Sequence, residues 1–159
     1  MGDQGRIMAG RAGALLLLLV LWGAGAAAAA PARPAQTVYV PVFQRVVVDE
    51  RGREMTLTAK LSLRNTDPAR SIEVLSVAQH DSQGRLYKQH LSAPLVLAPL
   101  AVRRIRAEII PNDRGGCFLV RWQGPAGVNP PLLQTIMLGT AGQQGISFTG
   151  EGRTLAPAR

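Results

Sequence analysis

Residues 57–100 read LTAKLSLRNTDPARSIEVLSVAQHDSQGRLYKQHLSAPLVLAPL, and in the first eight of them apolar and polar side chains alternate cleanly. Leu57, Ala59, Leu61 and Leu63 fall on one side of an extended chain, and Thr58, Lys60, Ser62 and Arg64 on the other. A period of two marks a strand with one face in a core and one in water. Asn65-Thr66-Asp67-Pro68 ends this strand, because short polar side chains bond the nearby backbone and proline stops a ladder. Ser71–Asp81 and Arg85–Leu91 then read as a hairpin about Ser82-Gln83-Gly84, with Gly84 in the left-handed position. Pro94 and Pro99 bracket Leu95 and Leu97, as a short strand crossing at a sheet edge requires.

The same pattern extends in both directions. Upstream, Thr37–Val48 (TVYVPVFQRVVV) is dense in β-branched and aromatic residues, with Pro41 calling for an edge or a bulge. A charged loop, Asp49–Arg53, follows and turns at Gly52. Downstream, Ala101–Ile110 is a further strand, Pro111–Gly116 a polar loop, and Cys117–Gly124 another strand that alternates Phe118, Val120 and Trp122 against Cys117, Leu119 and Arg121. Pro131–Thr140 fits either type: Leu132, Leu133, Ile136 and Met137 have helical spacing, while Leu132, Ile136 and Leu138 share strand parity. Its short length and all-β surroundings favour a strand. Gly145–Arg153 closes the domain and residues 154–159 form a frayed tail. Seven to nine short strands without a long helix predict an all-β, immunoglobulin-like antiparallel β-sandwich over residues 37–153, with a small β-barrel as the alternative.

Residues 1–30 read differently. Arg6 and Arg11 precede the apolar run Ala12–Trp22, and the alanine tract Ala26–Ala30 follows, the layout of a secretory signal peptide. Its bulky part is short for a membrane span, so cleavage between Ala29 and Gln36 is expected, and an uncleaved anchor is the alternative. Residues 31–36 then form a linker, and the mature chain is periplasmic or secreted. From Pro31 onward the sequence holds 16 basic and 9 acidic side chains, net +7, with 14 arginines to 2 lysines. Behind a signal peptide such basicity points away from nucleic acid and toward anionic lipid, acidic glycan or an acidic protein, with at most peripheral membrane contact. Cys117 is the sole cysteine, so no intrachain disulfide forms. Its apolar surroundings predict a buried thiol.

On TVYVPVF, LSLRNTD, PLVLAPLA and MLGT…QQGISFTGEGR the chain resembles a family of bacterial envelope proteins catalogued as a domain of unknown function. The resemblance runs in order through most of the mature chain and implies an envelope location but no activity. The layout LSLRNTDPARSIEV…HDSQGRL…LAPLA is also similar to immunoglobulin-like modules, a likeness of architecture alone.

Few residues promise chemistry. His80, Asp81 and His90 are a donor set that zinc accepts, yet adjacent strand residues point to opposite faces, and no supporting ligand spacing exists. Ser147 lies in GISFTG, but Thr149 stands where the G-x-S-x-G elbow needs glycine. Neither catalysis nor a metal or other cofactor is expected. Binding is better served. Arg104 and Arg106 share one strand face and Arg103 takes the other, and with Arg121 or Arg114 nearby they would make a cationic patch suited to phosphate or sulfate. The second set is the polar residues carrying the family resemblance: Arg64, Asn65, Asp67, Gln144, Ser147, Thr149 and Arg153. Turn formation explains Asn65 and Asp67 without a ligand. The sequence therefore supports a non-catalytic envelope module that binds a protein partner. A binder of anionic lipid headgroups or acidic glycans comes second, and a metal-dependent hydrolase is the least supported reading.

Overall fold

The computed structural model describes residues 32–141 and 144–156. The leader read over residues 1–30 lies outside them. Twelve strands follow in order: β1 Ala32–Phe43, β2 Arg45–Val47, β3 Glu54–Thr56, β4 Thr58–Arg64, β5 Ile72–His80, β6 Leu86–Gln89, β7 Leu95–Leu97, β8 Val102–Arg106, β9 Gly115–Pro125, β10 Leu132–Ala141, β11 Gln144–Glu151 and β12 Arg153–Thr154. The count exceeds the seven to nine expected because β2, β3, β7 and β12 are only two or three residues long.

β12-β1-β9-β5-β6 form one sheet, with β7 also on β5; β11-β10-β4-β8 form a second; β2 and β3 make a small separate ribbon. Among the described residues every pairing is antiparallel and no sheet closes into a barrel. The two main sheets share one core of alternating residues: Val38, Val40 and Val42 from β1, Leu61 and Leu63 from β4, Val74 and Val77 from β5, Phe118, Val120 and Trp122 from β9, and Leu133 and Met137 from β10. The protein is an all-β sandwich.

The pairings β4·β8 and β5·β9 reproduce the central B·E and C·F pairs of an immunoglobulin sandwich. The flanking strands change places. β10 lies against β4, where an immunoglobulin domain puts its first strand, and β1 lies against β9, where it puts its last.

Local chemistry sets the boundaries. Gly84 turns the β5–β6 hairpin at φ 76°, in the left-handed region that glycine enters without steric cost. Gly116 is required for a different reason, since a Cβ there would stand 2.2 Å from the His80 carbonyl oxygen on the neighbouring strand. Pro41 falls where β1 has run past β12, which pairs only Val38 and Tyr39. The segment Pro94–Pro99 carries the chain from β7 in one sheet toward β8 in the other. Thr135, on the inner side of β10, donates from Oγ1 to the Pro41 carbonyl at 2.5 Å and ties the sheets together through a polar contact.

Several details depart from the pattern-based reading. β1 begins at Ala32, within the stretch read as a linker, and continues across a bulge between Arg33 and Gln36. Thr154 pairs with Val38, so the final segment starts on the sheet. Thr37–Val48 breaks at Gln44, whose side chain is buried in the core. The strand predicted over Ala101–Ile110 stops at Arg106: the Ala107 amide still reaches the Ala59 carbonyl on β4, but Glu108 and Ile110 bond to glutamine side chains in place of a sheet neighbour. Glu108 receives both Gln44 Nε2 and Gln79 Nε2 at its carbonyl, the latter at 2.7 Å. The Glu108 amide donates to Gln79 Oε1 at 2.9 Å, and the Ile110 amide to Gln44 Oε1 at 2.9 Å.

Candidate functional site

The outer face of the four-stranded sheet gathers four cations that no ion pair neutralises among the described residues. In an antiparallel ladder directly opposed residues share a face, with Cβ atoms about 4.5–5.5 Å apart. The register therefore writes this face as rows: Glu151, Gln134, Ser62, Arg104; then Thr149, Ile136, Lys60, Arg106; then Ser147, Leu138, Thr58. A further row carries Leu132, Arg64 and Val102. Arg64, Arg104, Arg106 and Lys60 thus occupy two adjacent strands, with Lys60 directly opposite Arg106. Among the described residues none of these four has an ion-pair partner, although five other cations do. Like charges placed opposite one another on a sheet oppose folding. In their midst Ser62 is almost fully buried, and its hydroxyl has no hydrogen-bond partner.

The other candidate arginines separate from this group. Arg103 opposes Leu63 and has inner-face parity, but β8 is an edge strand and the side chain escapes at the rim of the sandwich. Arg121 is not near the patch, because β9 belongs to the other sheet and the residue faces outward there opposite Thr37. Arg153 opposes Tyr39 on that same far face. Arg114 pairs with Glu54 at 2.5 Å.

Of the family-matching residues, Ser147 and Thr149 stand on the cationic face, across β10 from the basic strands. Gln144 pairs its backbone with Ala141, and its side chain is outside the described residues. Asn65 and Asp67 are consumed by the fold. Asn65 Nδ2 reaches the carbonyls of Arg70, Leu97 and Ala98 at 2.8–3.1 Å, and its Oδ1 accepts the Asp67 amide. The Asp67 carboxylate accepts the amides of Ala69, Arg70 and Asn129 and pairs with Arg70, whose guanidinium also binds the carbonyls of Ala126 and Gly127. The Ala69 and Asn129 amides above all, with help from Arg70, hold its pKa well below the usual carboxylate range despite burial. The motif staples the β4–β5 turn to the β9–β10 loop.

The histidines and other acids are also engaged. His80 Nδ1 lies 3.0 Å from the Gly84 carbonyl, while His90 contacts Gln79 Oε1 at 3.0 Å and packs against Phe118. Because Gln79 Oε1 is an acceptor, His90 donates from Nε2, and burial lowers its pKa. Asp81 closes the β5–β6 hairpin through the amides of Gln83 and Arg85 and an ion pair with Arg85. Among the described residues no three His, Cys, Asp or Glu side chains come together as a metal-binding group. Cys117 is buried, and that burial raises its pKa, against a bond from Tyr39. A cleft of about 350 Å³ bordered by Ile72, Glu73 and Val96, and another of about 440 Å³ bordered by Tyr39, Phe43 and Cys117, both lie away from the cationic face.

Sequence reasoning placed Arg104 and Arg106 together and Arg64 in a separate set, but missed Lys60 as part of the site, along with the exposed apolar row on β10. The clue to Lys60 was its shared parity with Arg64, two positions from Ser62 on the water-facing side of the first strand.

The fold and this face define a β-sandwich with a cationic outer surface. Residues 35–155 match the family described as "Protein of unknown function (DUF3124)", and the chain belongs to that family. A comparison with curated proteins returns no match. Among solved structures, Thermotoga maritima 1070 aligns at 11% identity with a TM-score of 0.40, covering 74% of this chain and 92% of that one.

Proposed function

We propose that this chain is a non-catalytic binding module of the cell envelope, secreted or periplasmic, whose working surface is the outer face of the four-stranded sheet and whose ligand is anionic. The carrying observation is the convergence of Lys60, Arg64, Arg104 and Arg106 on two adjacent strands without an ion-pair partner among the described residues. An external anion would relieve the repulsion that this arrangement maintains, and arginine's forked donors suit phosphate, sulfate and carboxylate groups. The basic leader supports the envelope location. The non-catalytic reading is supported by how the acids are spent: Asp67, Asp81 and Asp113 bind loop amides, while Asp49, Glu54 and Glu108 pair with arginine or lysine.

Binding to soluble dextran sulfate tests the reading. Binding is expected to weaken as salt rises and to fall at least tenfold in Arg104→Glu plus Arg106→Glu, with thermal stability retained. Equal binding by wild type and variant would sink the proposal.

A second reading, a protein-interaction surface, is favoured by the exposed aromatics Tyr39 and Phe43 beside the larger cleft on the opposite sheet. Envelope crosslinking from this face should recover one specific partner, and repeated recovery of none would count against it.

A further inference from the structure

The cationic face also carries an apolar ridge that an anionic ligand alone leaves unexplained. β10 is an interior strand of its sheet, yet its outward positions hold Leu132, Ile136 and Leu138, with relative exposures of 42%, 38% and 52%. A sheet face turned to water ordinarily places polar residues there, as the neighbouring strand β11 does with Ser147 and Thr149. The ridge runs directly beside the cations: Ile136 is the cross-strand partner of Lys60, and Leu132 that of Arg64. Apolar side chains flanked by long basic ones are the composition of an interfacial membrane contact, in which aliphatic groups enter the boundary between headgroups and acyl chains while lysine and arginine extend their charges to the phosphates.

We infer that this face seats on a bilayer surface rich in anionic lipid, with Leu132, Ile136 and Leu138 entering the headgroup boundary; the inference rests on the reading above that the ligand is anionic. Charge complementarity selects the occupant. A second copy of the chain would set four cations against four, with Glu151 the one acid in the paired rows of this face. A soluble polyanion satisfies the charges and leaves the ridge in water. An anionic bilayer satisfies both.

The experiment compares the full chain with two outward-facing pairs of changes, Lys60→Glu plus Arg106→Glu and Ile136→Ser plus Leu138→Ser. Each is measured on phosphatidylglycerol–phosphatidylcholine vesicles in equal parts, on pure phosphatidylcholine vesicles, and on dextran sulfate. An environment-sensitive dye on Ile136→Cys, in a Cys117→Ser background, reports whether the face itself meets lipid. If the inference holds, the dye shifts to the blue only with anionic vesicles, and the serine pair loses vesicle binding at least fivefold while keeping dextran sulfate binding. The glutamate pair then loses both, by at least about tenfold on the scale of roughly fivefold per cation near an anionic surface. Serine-pair binding to vesicles equal to wild type, or a dye that does not respond, overturns the membrane contact. Undiminished dextran sulfate binding by the glutamate pair overturns the anionic reading itself. Thermal midpoints within the wild-type range verify folding, and Leu138→Thr alone replaces the serine pair if that pair fails this check.

Discussion

Asp67 is nearly closed to water, and its carboxylate is surrounded by donors: three backbone amides and the Arg70 guanidinium. Replacing it by Asn turns one acceptor into a donor facing either an amide or the guanidinium, so the β4–β5 turn loses its hold on the β9–β10 loop. Because the folded-state pKa is depressed, the carboxylate's stabilisation is complete above the unfolded pKa of about 3.9 and drains away as pH falls through the folded pKa. Asp67→Asn is therefore expected to lower the urea midpoint at neutral pH, and the gap from wild type should narrow steadily in acid. A constant gap would show that the ionised form does not matter. Asn65 makes a separate case, since its amide serves three carbonyls, one in the β4–β5 turn and two at the end of β7. Asn65→Ala should cost about 2–4 kcal/mol, the range for stranding one or two buried polar groups, as read from urea denaturation. Both residues were legible as turn formers, because Asn-Thr-Asp-Pro is local chemistry. Their long-range partners, Leu97 and Asn129, were not legible, since nothing local to residues 65–68 names them.

At the scale of elements, alternation identified the core faces of β4 and β9 correctly, although Ser62 and Cys117 on the opposite faces are buried as well. β10 is the instructive case. The apolar residues Leu132, Ile136 and Leu138 carried the strand reading, yet the buried parity is that of Leu133, Thr135 and Met137. Both sides of this strand are largely apolar, so composition alone does not say which one is the core. The segment after β8 misled for the opposite reason: AEII looks like more strand, but two glutamines from β5 and the β1–β2 bend take the hydrogen bonds of Glu108 and Ile110. A buried glutamine pair acting as a substitute strand has no period. Gln79→Leu is expected to strand the Glu108 amide and weaken the hold on its carbonyl, destabilising the domain by about 2–4 kcal/mol. Hydrogen exchange should show the Glu108 amide losing more protection than amides at the centre of β4. Uniform loss across both would mean the clamp is no local fastening.

At the scale of the whole molecule, the sandwich divides its cations between two outward faces. The sequence presented Arg103, Arg104, Arg106, Arg121 and Arg153 without saying which of them share a surface, because strand order is set by the pairing of segments far apart in the chain. β4 beside β8 unites Lys60 and Arg64 with Arg104 and Arg106, and β1 between β12 and β9 sends Arg153 and Arg121 to the other side. Packed sheets stand about 10 Å apart between backbones, and outward side chains add to that separation. The distance already exceeds the screening length of about 8 Å at physiological ionic strength. Reversal of the far-side charges, Arg121→Glu plus Arg153→Glu, should therefore change dextran sulfate binding less than twofold in physiological salt, whereas Arg104→Glu plus Arg106→Glu, an equal change in net charge, abolishes most of it. At about 0.01 M salt the screening length grows to roughly 30 Å and spans the molecule, so the far-side variant should then lose affinity too. Equal losses for both variants at physiological salt would mean that overall charge draws the anion, and that the face built by β4 and β8 has no special part in binding it.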